Sequence, residues 1–257
     1  MNNGLKAAAA SLVVTIGLMA CVRGGGDTSS SASAPAPIAL KTSTIRTLQP
    51  NDTWSYAGTG IYSSGGSAVN IAATVSDTIL SSAKQDPITS INCLDEFITI
   101  SLLGPSGVPT LISSHNYESQ DASGTIYVHG ENTGSGDIWV NAESGSKYIG
   151  LRSPMASNQR YGTSVAYSEG TTATTTQQVS GVENVNTTAG YYQAYRILEN
   201  AAYTDTNGTG SVESNTVWYV PGLGVVKETM NVTYYTENTI MANLTLTFSL
   251  TNTSVIY

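Results

Sequence analysis

Few residues of this 257-residue chain could do acid–base or metal chemistry at neutral pH. His115 and His129 are its two histidines, and so its two imidazoles for a general base or a metal ligand. Asp95–Glu96, and Glu118 with Asp121, supply the residue types of a hydrolase that sets one carboxyl as acid and another as base. Any acidic protein offers such pairs, so they decide little. A zinc site would need carboxylates to complete either histidine. His129 shares a presumed strand face with Tyr127, which fits a surface or packed imidazole. The run from Asp205 to Gly210 opens like a calcium loop, but its twelfth position is Thr216, where a bidentate Glu is required. A hairpin turn accounts for its glycine. No Gly-x-Ser-x-Gly, His-Glu-x-x-His or phosphate-cradling glycine loop occurs. These observations predict a non-enzymatic protein without metal or cofactor.

The two cysteines divide into different roles. Met1 to Lys6 is a short basic start, and Ala7 to Ala20 an uncharged, largely apolar run of 14 residues. That is short of the ~20 residues that span a bilayer core, and it suits a secretory leader. The run ends Leu18-Met19-Ala20-Cys21, which resembles the bacterial lipobox. The resemblance implies cleavage after Ala20 and acylation of the Cys21 thiol. Each buried CH₂ contributes ~0.8 kcal/mol, so one acyl chain holds marginally and two or three hold firmly. Val22, where sorting to the inner membrane would place Asp, implies the outer membrane. With Cys21 acylated, Cys93 has no disulfide partner and reads as a small buried hydrophobe. Asp95 and Glu96 beside it would raise its pKa.

Residues 21–37 are rich in Gly, Ser, Ala and Pro and poor in core formers. Such a segment buries too little to offset its ordering entropy and would act as a tether with a span of about 20 Å. The remaining 38–257 are enough for one domain. Charged residues are 11% of the chain, and hydrophobic residues 40%. Loss of the leader leaves nine basic and 18 acidic residues, a net charge of −9. An acidic body repels phosphate polymers, which excludes nucleic acid as a partner and leaves the acyl chains as the route to the membrane.

The elements around these residues read as strands. Period-two alternation marks Asp52 to Tyr62, Val69 to Leu80, Glu96 to Leu103, Gly124 to Glu131, Asp137 to Glu143, and Tyr191 to Leu198. The last strand sets Ile240, Ala242, Leu244, Leu246, Phe248 and Leu250 against a nearly all-polar face. Asn207-Gly208 predicts a type I′ hairpin with positive φ at both residues. Pro221-Gly222 predicts a type II turn with positive φ at Gly222. A short helical turn is admitted near Ser81 to Asp86, and Tyr161 to Thr176 reads as an exposed strand or loop.

Two runs, Val185-Asn-Thr-Thr-Ala-Gly-Tyr191 and Trp218 to Lys227, carry a family likeness. They resemble the TapB-like bacterial lipoproteins and related domains of unknown function, with Thr188 where Pro is usual. The likeness covers Tyr148 to Glu228. It implies a curved antiparallel sheet of the lipoprotein-carrier kind and no assigned activity. The expectation is therefore an all-β body, either a single curved antiparallel sheet (an open half-barrel) or a β-sandwich, with no substantial helix after the leader. It would be held at the outer membrane through Cys21 and could bind a hydrophobic or lipid ligand. The alternative is a structural or adhesive envelope module that meets another envelope protein.

Overall fold

The computed structural model describes residues 36–141, 147–237 and 239–257. Cys21, the leader and nearly all of the 21–37 segment lie outside them. The described residues form thirteen strands and no helix. These are β1 (Thr53–Ser64), β2 (Ser67–Gln85), β3 (Asn92–Leu103), β4 (Pro109–Gln120), β5 (Ile126–Asn132), β6 (Ile138–Trp139) and β7 (Tyr148–Leu151). They are followed by β8 (Arg160–Ala166), β9 (Thr172–Thr187), β10 (Gly190–Thr204), β11 (Thr209–Val220), β12 (Gly224–Thr236) and β13 (Thr239–Thr253). All belong to one antiparallel sheet, ordered β6-β5-β4-β3-β2-β1-β13-β12-β11-β10-β9-β8, with β7 also paired to β5. The meander leaves one long-range closure, β1 against β13, from Trp54↔Thr253 to Ser64↔Ala242.

The apolar face of β13 organises the core. Leu244, Leu246, Phe248 and Leu250 are buried beside Trp54 and Tyr56 of β1 and Ile71, Ala73 and Val75 of β2. Burying each of the larger side chains stabilises by ~1.5–3 kcal/mol. Tyr56 meets Phe248 edge-on at 5.7 Å between ring centroids. That packing depends on a small residue opposite: a Cβ on Gly58 would lie 2.2 Å from the Thr247 carbonyl oxygen and 2.6 Å from Phe248 Cβ.

The sheet curls until its two edges meet. Val140, just past β6, makes an isolated bridge to Tyr167, just past β8. Asn141 N–H donates to Ala166 O at 2.7 Å and Ser168 N–H to Trp139 O at 2.8 Å. A satellite core of Val140, Tyr148, Val165, Tyr167 and Ala173 fills the seam. The ladder itself stops short of closure, so of the two all-β architectures expected, the single curved open sheet is found and the β-sandwich is not.

Four local expectations are corrected. β4 was not anticipated, because its buried face is Ser114, Asn116 and Glu118, a polar row that hides the period. The segment Ser81 to Asp86 is no helical turn: β2 runs on to Gln85, with a register shift between Ile79 and Ala83. At the Asn207-Gly208 hairpin only Gly208 has positive φ, at 74°. Gly208 N–H bonds Asp205 O at 3.2 Å, and Asp205 N–H bonds Thr209 O at 2.8 Å. This is the three-residue loop that ends in a left-handed glycine, not a two-residue type I′ turn. At Pro221-Gly222 the tight turn forms, with Leu223 N–H on Val220 O at 2.7 Å, but positive φ falls on Gly224, at 109°. Gly222 is small for another reason, since a Cβ there would enter the Tyr257 ring at 2.6 Å.

Candidate functional site

The strand at one edge of the sheet is split. β6 pairs with Gly130 and Glu131 of β5, whereas β7 pairs with Ile126 to Val128. His129 lies between the two pairings, and on its other side it is skipped by β4, where Tyr117 pairs with Gly130 and Glu118 with Val128. It is therefore the extra residue of a bulge, a device that bends a strand and re-aims a side chain.

The re-aimed imidazole joins two other strands. Its Nδ1 is 2.9 Å from Asp86 Oδ2, and its Nε2 is 2.8 Å from Ser119 Oγ. Asp86 stands just past the end of β2, and its carboxylate is fixed by the turn it opens. Oδ1 accepts from Ile88 N–H at 2.8 Å and from Thr89 N–H at 3.3 Å, while Oδ2 accepts from Thr89 Oγ1 at 2.5 Å. Burial works against the Asp86 carboxylate, but the hydrogen bonds from Thr89, His129 and Ile88 outweigh it and hold its pKa below the usual range. An ionised Asp86 is acceptor only, so Nδ1 carries the proton and Nε2 presents its lone pair to the Ser119 hydroxyl.

Asp86 is 1% exposed and His129 9%, while Ser119 is half-buried. The three line a cleft of about 250 Å³ whose walls include Ile91, Tyr127, Val128, Val140 and Tyr148. Lys147 stands at its rim, with the ammonium 4.9 Å from the centroid of the Tyr127 ring. The cleft thus joins an apolar wall, a lysine at the rim and an ordered serine–imidazole–carboxylate series.

The other expected residues disperse. His115 pairs with Asp95 at 2.7 Å and leans on Phe97, 4.8 Å between centroids, one strand away from His129. Asp95 and Glu96 point to opposite faces. Glu118 and Asp121 also separate, since Asp121 caps its own hairpin by accepting from Ser123 N–H at 2.9 Å and Thr125 N–H at 3.0 Å. Asp205 spends its Oδ1 in the same way, on Asn207 N–H at 2.8 Å and Thr209 N–H at 2.9 Å. Cys93 is buried against Tyr117 and Trp139. Burial, with Asp86 next and Glu118 also contributing, pushes its thiol up to about 12. Among the described residues no group of three His, Cys, Asp or Glu is arranged to hold a metal ion.

The buried face holds a second concentration of acids. Asp77, Glu96 and Glu118 come from β2, β3 and β4; Glu199, Glu213 and Glu228 come from β10, β11 and β12. Burial, reinforced by the charge of Glu96, holds Asp77 and Glu118 well above the ordinary range. Burial raises Glu96 to about 8, although Asn116 donates to it at 3.1 Å. Burial raises Glu131 to about 8, with Glu169 and Glu213 adding to it, and Glu199 to about 7, with Glu213 adding. Both oxygens of Glu228 are enclosed without a hydrogen-bond partner, and burial beside Glu199 and Glu213 keeps it well above the ordinary range. At neutral pH most of these groups are neutral acids packed inside the sheet.

Sequence reasoning set His129 in plain alternation with Tyr127, and so missed both the bulge that re-aims it and its partners. Ser119 and His129 are ten positions apart across the β4–β5 hairpin, a relation that needs β4 to be recognised. Asp86 is 43 positions from His129 and reaches it only through the sheet order.

These features define an all-β protein built on one curled antiparallel sheet, with a cleft of apolar walls and a few polar side chains at its split edge. No protein-family model matches the chain, and no curated protein matches it. Among solved structures it is similar to one described as a "putative exported protein with YmcC-like fold" from Bacteroides fragilis. The match has 11% identity and a TM-score of 0.35, over 83% of this chain and 100% of the other.

Proposed function

We propose that this is a lipid-anchored protein of the cell outer membrane whose sheet body binds a small ligand with an apolar part at the split-edge cleft. The anchor rests on Leu18-Met19-Ala20-Cys21, on the apolar run before it and on the tether-like composition after it. Among the described residues no helix is long and apolar enough to cross a membrane. The observation that carries the binding reading is the cleft itself, with Ile91, Val128, Val140 and Tyr148 beside a polar floor. Pockets that combine apolar walls with a few convergent polar groups are where small molecules bind. The buried carboxyls argue against the whole sheet face being a greasy carrier surface, and so concentrate the reading on this cleft.

Two measurements test the two parts. Radiolabelled palmitate should enter the wild-type chain and not Cys21→Ser; equal labelling, or none, removes the anchor. Native mass spectrometry of the body, supplied with short-chain fatty acids and esters, should show a 1:1 adduct that Val140→Trp abolishes. Retention of the adduct in a folded Val140→Trp would place the ligand elsewhere.

A further inference from the structure

We propose that Ser119, His129 and Asp86 form a hydrolytic centre that cleaves small carboxylic esters in the split-edge cleft, with Ser119 as nucleophile and His129 as its base. The inference gives the cleft a reaction and does not depend on the lipid anchor.

The geometry meets the requirements of an activated serine in order. The nucleophile and base are within hydrogen-bond reach, 2.8 Å from Ser119 Oγ to His129 Nε2, inside the range for proton transfer in such pairs. The base is oriented by a third group, Asp86 Oδ2 at 2.9 Å from Nδ1, which fixes the tautomer that leaves Nε2 free to accept. The third group is itself immobilised by three donors from its own turn, Ile88 N–H, Thr89 N–H and Thr89 Oγ1. Such backing of the orienting residue is what holds a reactive series in register. The three residues come from the turn after β2, from β4 and from a bulge in β5. An arrangement drawn from separate elements is recognised by roles and distances, not by a local motif.

The cleft supplies the remaining parts. Ile91, Val128, Val140 and Tyr148 form an apolar wall, and about 250 Å³ admits a small acyl group but not a long chain. Lys147 is the cation at the rim, the available charge to oppose the oxygen that becomes negative when the carbonyl is attacked.

The reaction balances with water as the only co-reactant. Ser119 Oγ bonds to the ester carbonyl carbon while its proton passes to His129 Nε2, and the carbonyl oxygen becomes the oxyanion. Collapse breaks the bond to the alcohol oxygen, which leaves with the proton from His129. Water then attacks the acyl carbon and gives a proton to His129. The acyl–Oγ bond breaks, Ser119 recovers the proton, and the carboxylic acid departs. Asp86 remains ionised throughout and acts as a positioning residue.

The test uses the purified chain with p-nitrophenyl acetate and with diisopropyl fluorophosphate. Wild-type protein should hydrolyse the ester, and Ser119→Ala should lower kcat/KM at least about 100-fold. The fluorophosphate should modify Ser119, located by peptide mass spectrometry, at a rate that His129→Gln reduces comparably. Asp86→Asn should lower kcat and shift the pH profile, which a merely structural carboxylate would not do. Labelling needs no variant, so it stands even if a substitution unfolds the edge. Hydrolysis unaffected by Ser119→Ala, or no phosphorylation of Ser119 in folded wild-type protein, overturns the proposal. Palmitate labelling of Cys21 is independent of every one of these outcomes.

Discussion

Replacing Glu131 by Gln should make the protein more resistant to alkali while leaving its stability in mild acid nearly unchanged. Burial raises the Glu131 carboxyl to about 8, and the negative charges of Glu169 and Glu213 add to it; an unfolded chain would hold it near 4.5. Below the unfolded value both states bind the proton, and the folded state carries its full share of stability. Between about 4.5 and 8 the unfolded chain releases the proton and the folded one keeps it. Folding stability therefore falls as pH rises, by about 1.4 kcal/mol per unit for one proton, and levels off above the folded pKa. The full interval corresponds to a loss on the order of 5 kcal/mol. Partial opening of the β5–β6 edge to water would reduce that to about 2–4 kcal/mol. Gln has a similar shape and does not titrate. Urea unfolding followed by tryptophan fluorescence at pH 5, 7 and 9 should show curves that nearly coincide at pH 5. By pH 9 Glu131→Gln should lead by a few kcal/mol, a large part of the ~5–15 kcal/mol that a domain possesses. A stability difference that stays constant from pH 5 to pH 9 would refute the buried neutral acid.

The same linkage makes the whole body alkali-sensitive, since Glu96 at about 8 and Glu199 at about 7 add to the slope; a wild-type melting temperature that rises from pH 6 to 9 would contradict this. Gly58→Ala should destabilise by more than about 2 kcal/mol, because its Cβ would meet the Thr247 carbonyl oxygen at 2.2 Å within the β1–β13 ladder; chemical denaturation reads the loss directly. Leu246→Ala, in the middle of the buried β13 face, should cost about 2–5 kcal/mol, and a shift below 1 kcal/mol would place β13 away from the core. The Cys93 thiol should stay unreactive to a maleimide at pH 8 in the folded protein and react at once in denaturant, because it is 1% exposed and pushed up to about 12.

How much of this was legible in the chain depends on which physics wrote each part. β13 was readable because one force, apolar burial on one face, set every second residue from Ala242 to Leu250. Where that force weakened, so did the signal. β4 buries Ser114, Asn116 and Glu118, so its inward row looks like a loop although its pairing with β3 is regular from Leu94↔Glu118 to Leu103↔Pro109. Turns were located correctly and mistyped, because Asn207 and Gly222 permit conformations that other constraints decide. Asp205 captures two backbone N–H groups, and Tyr257 crowds Gly222. The candidate site was hidden for a deeper reason. Asp86, Ser119 and His129 become neighbours only through the β2-β3-β4-β5 order and one bulge. Without the bulge the side chain of residue 129 would fall on the opposite face of β5, and the histidine would meet neither partner. The site is thus carried by register, and register is the one property of a strand that its own composition leaves open. Deleting Val128, which keeps the imidazole but removes the bulge, should leave the far half of the sheet folded while dispersing the cleft. A loss of fluorophosphate labelling together with retained burial of Trp54, 0% exposed in β1, would separate the two.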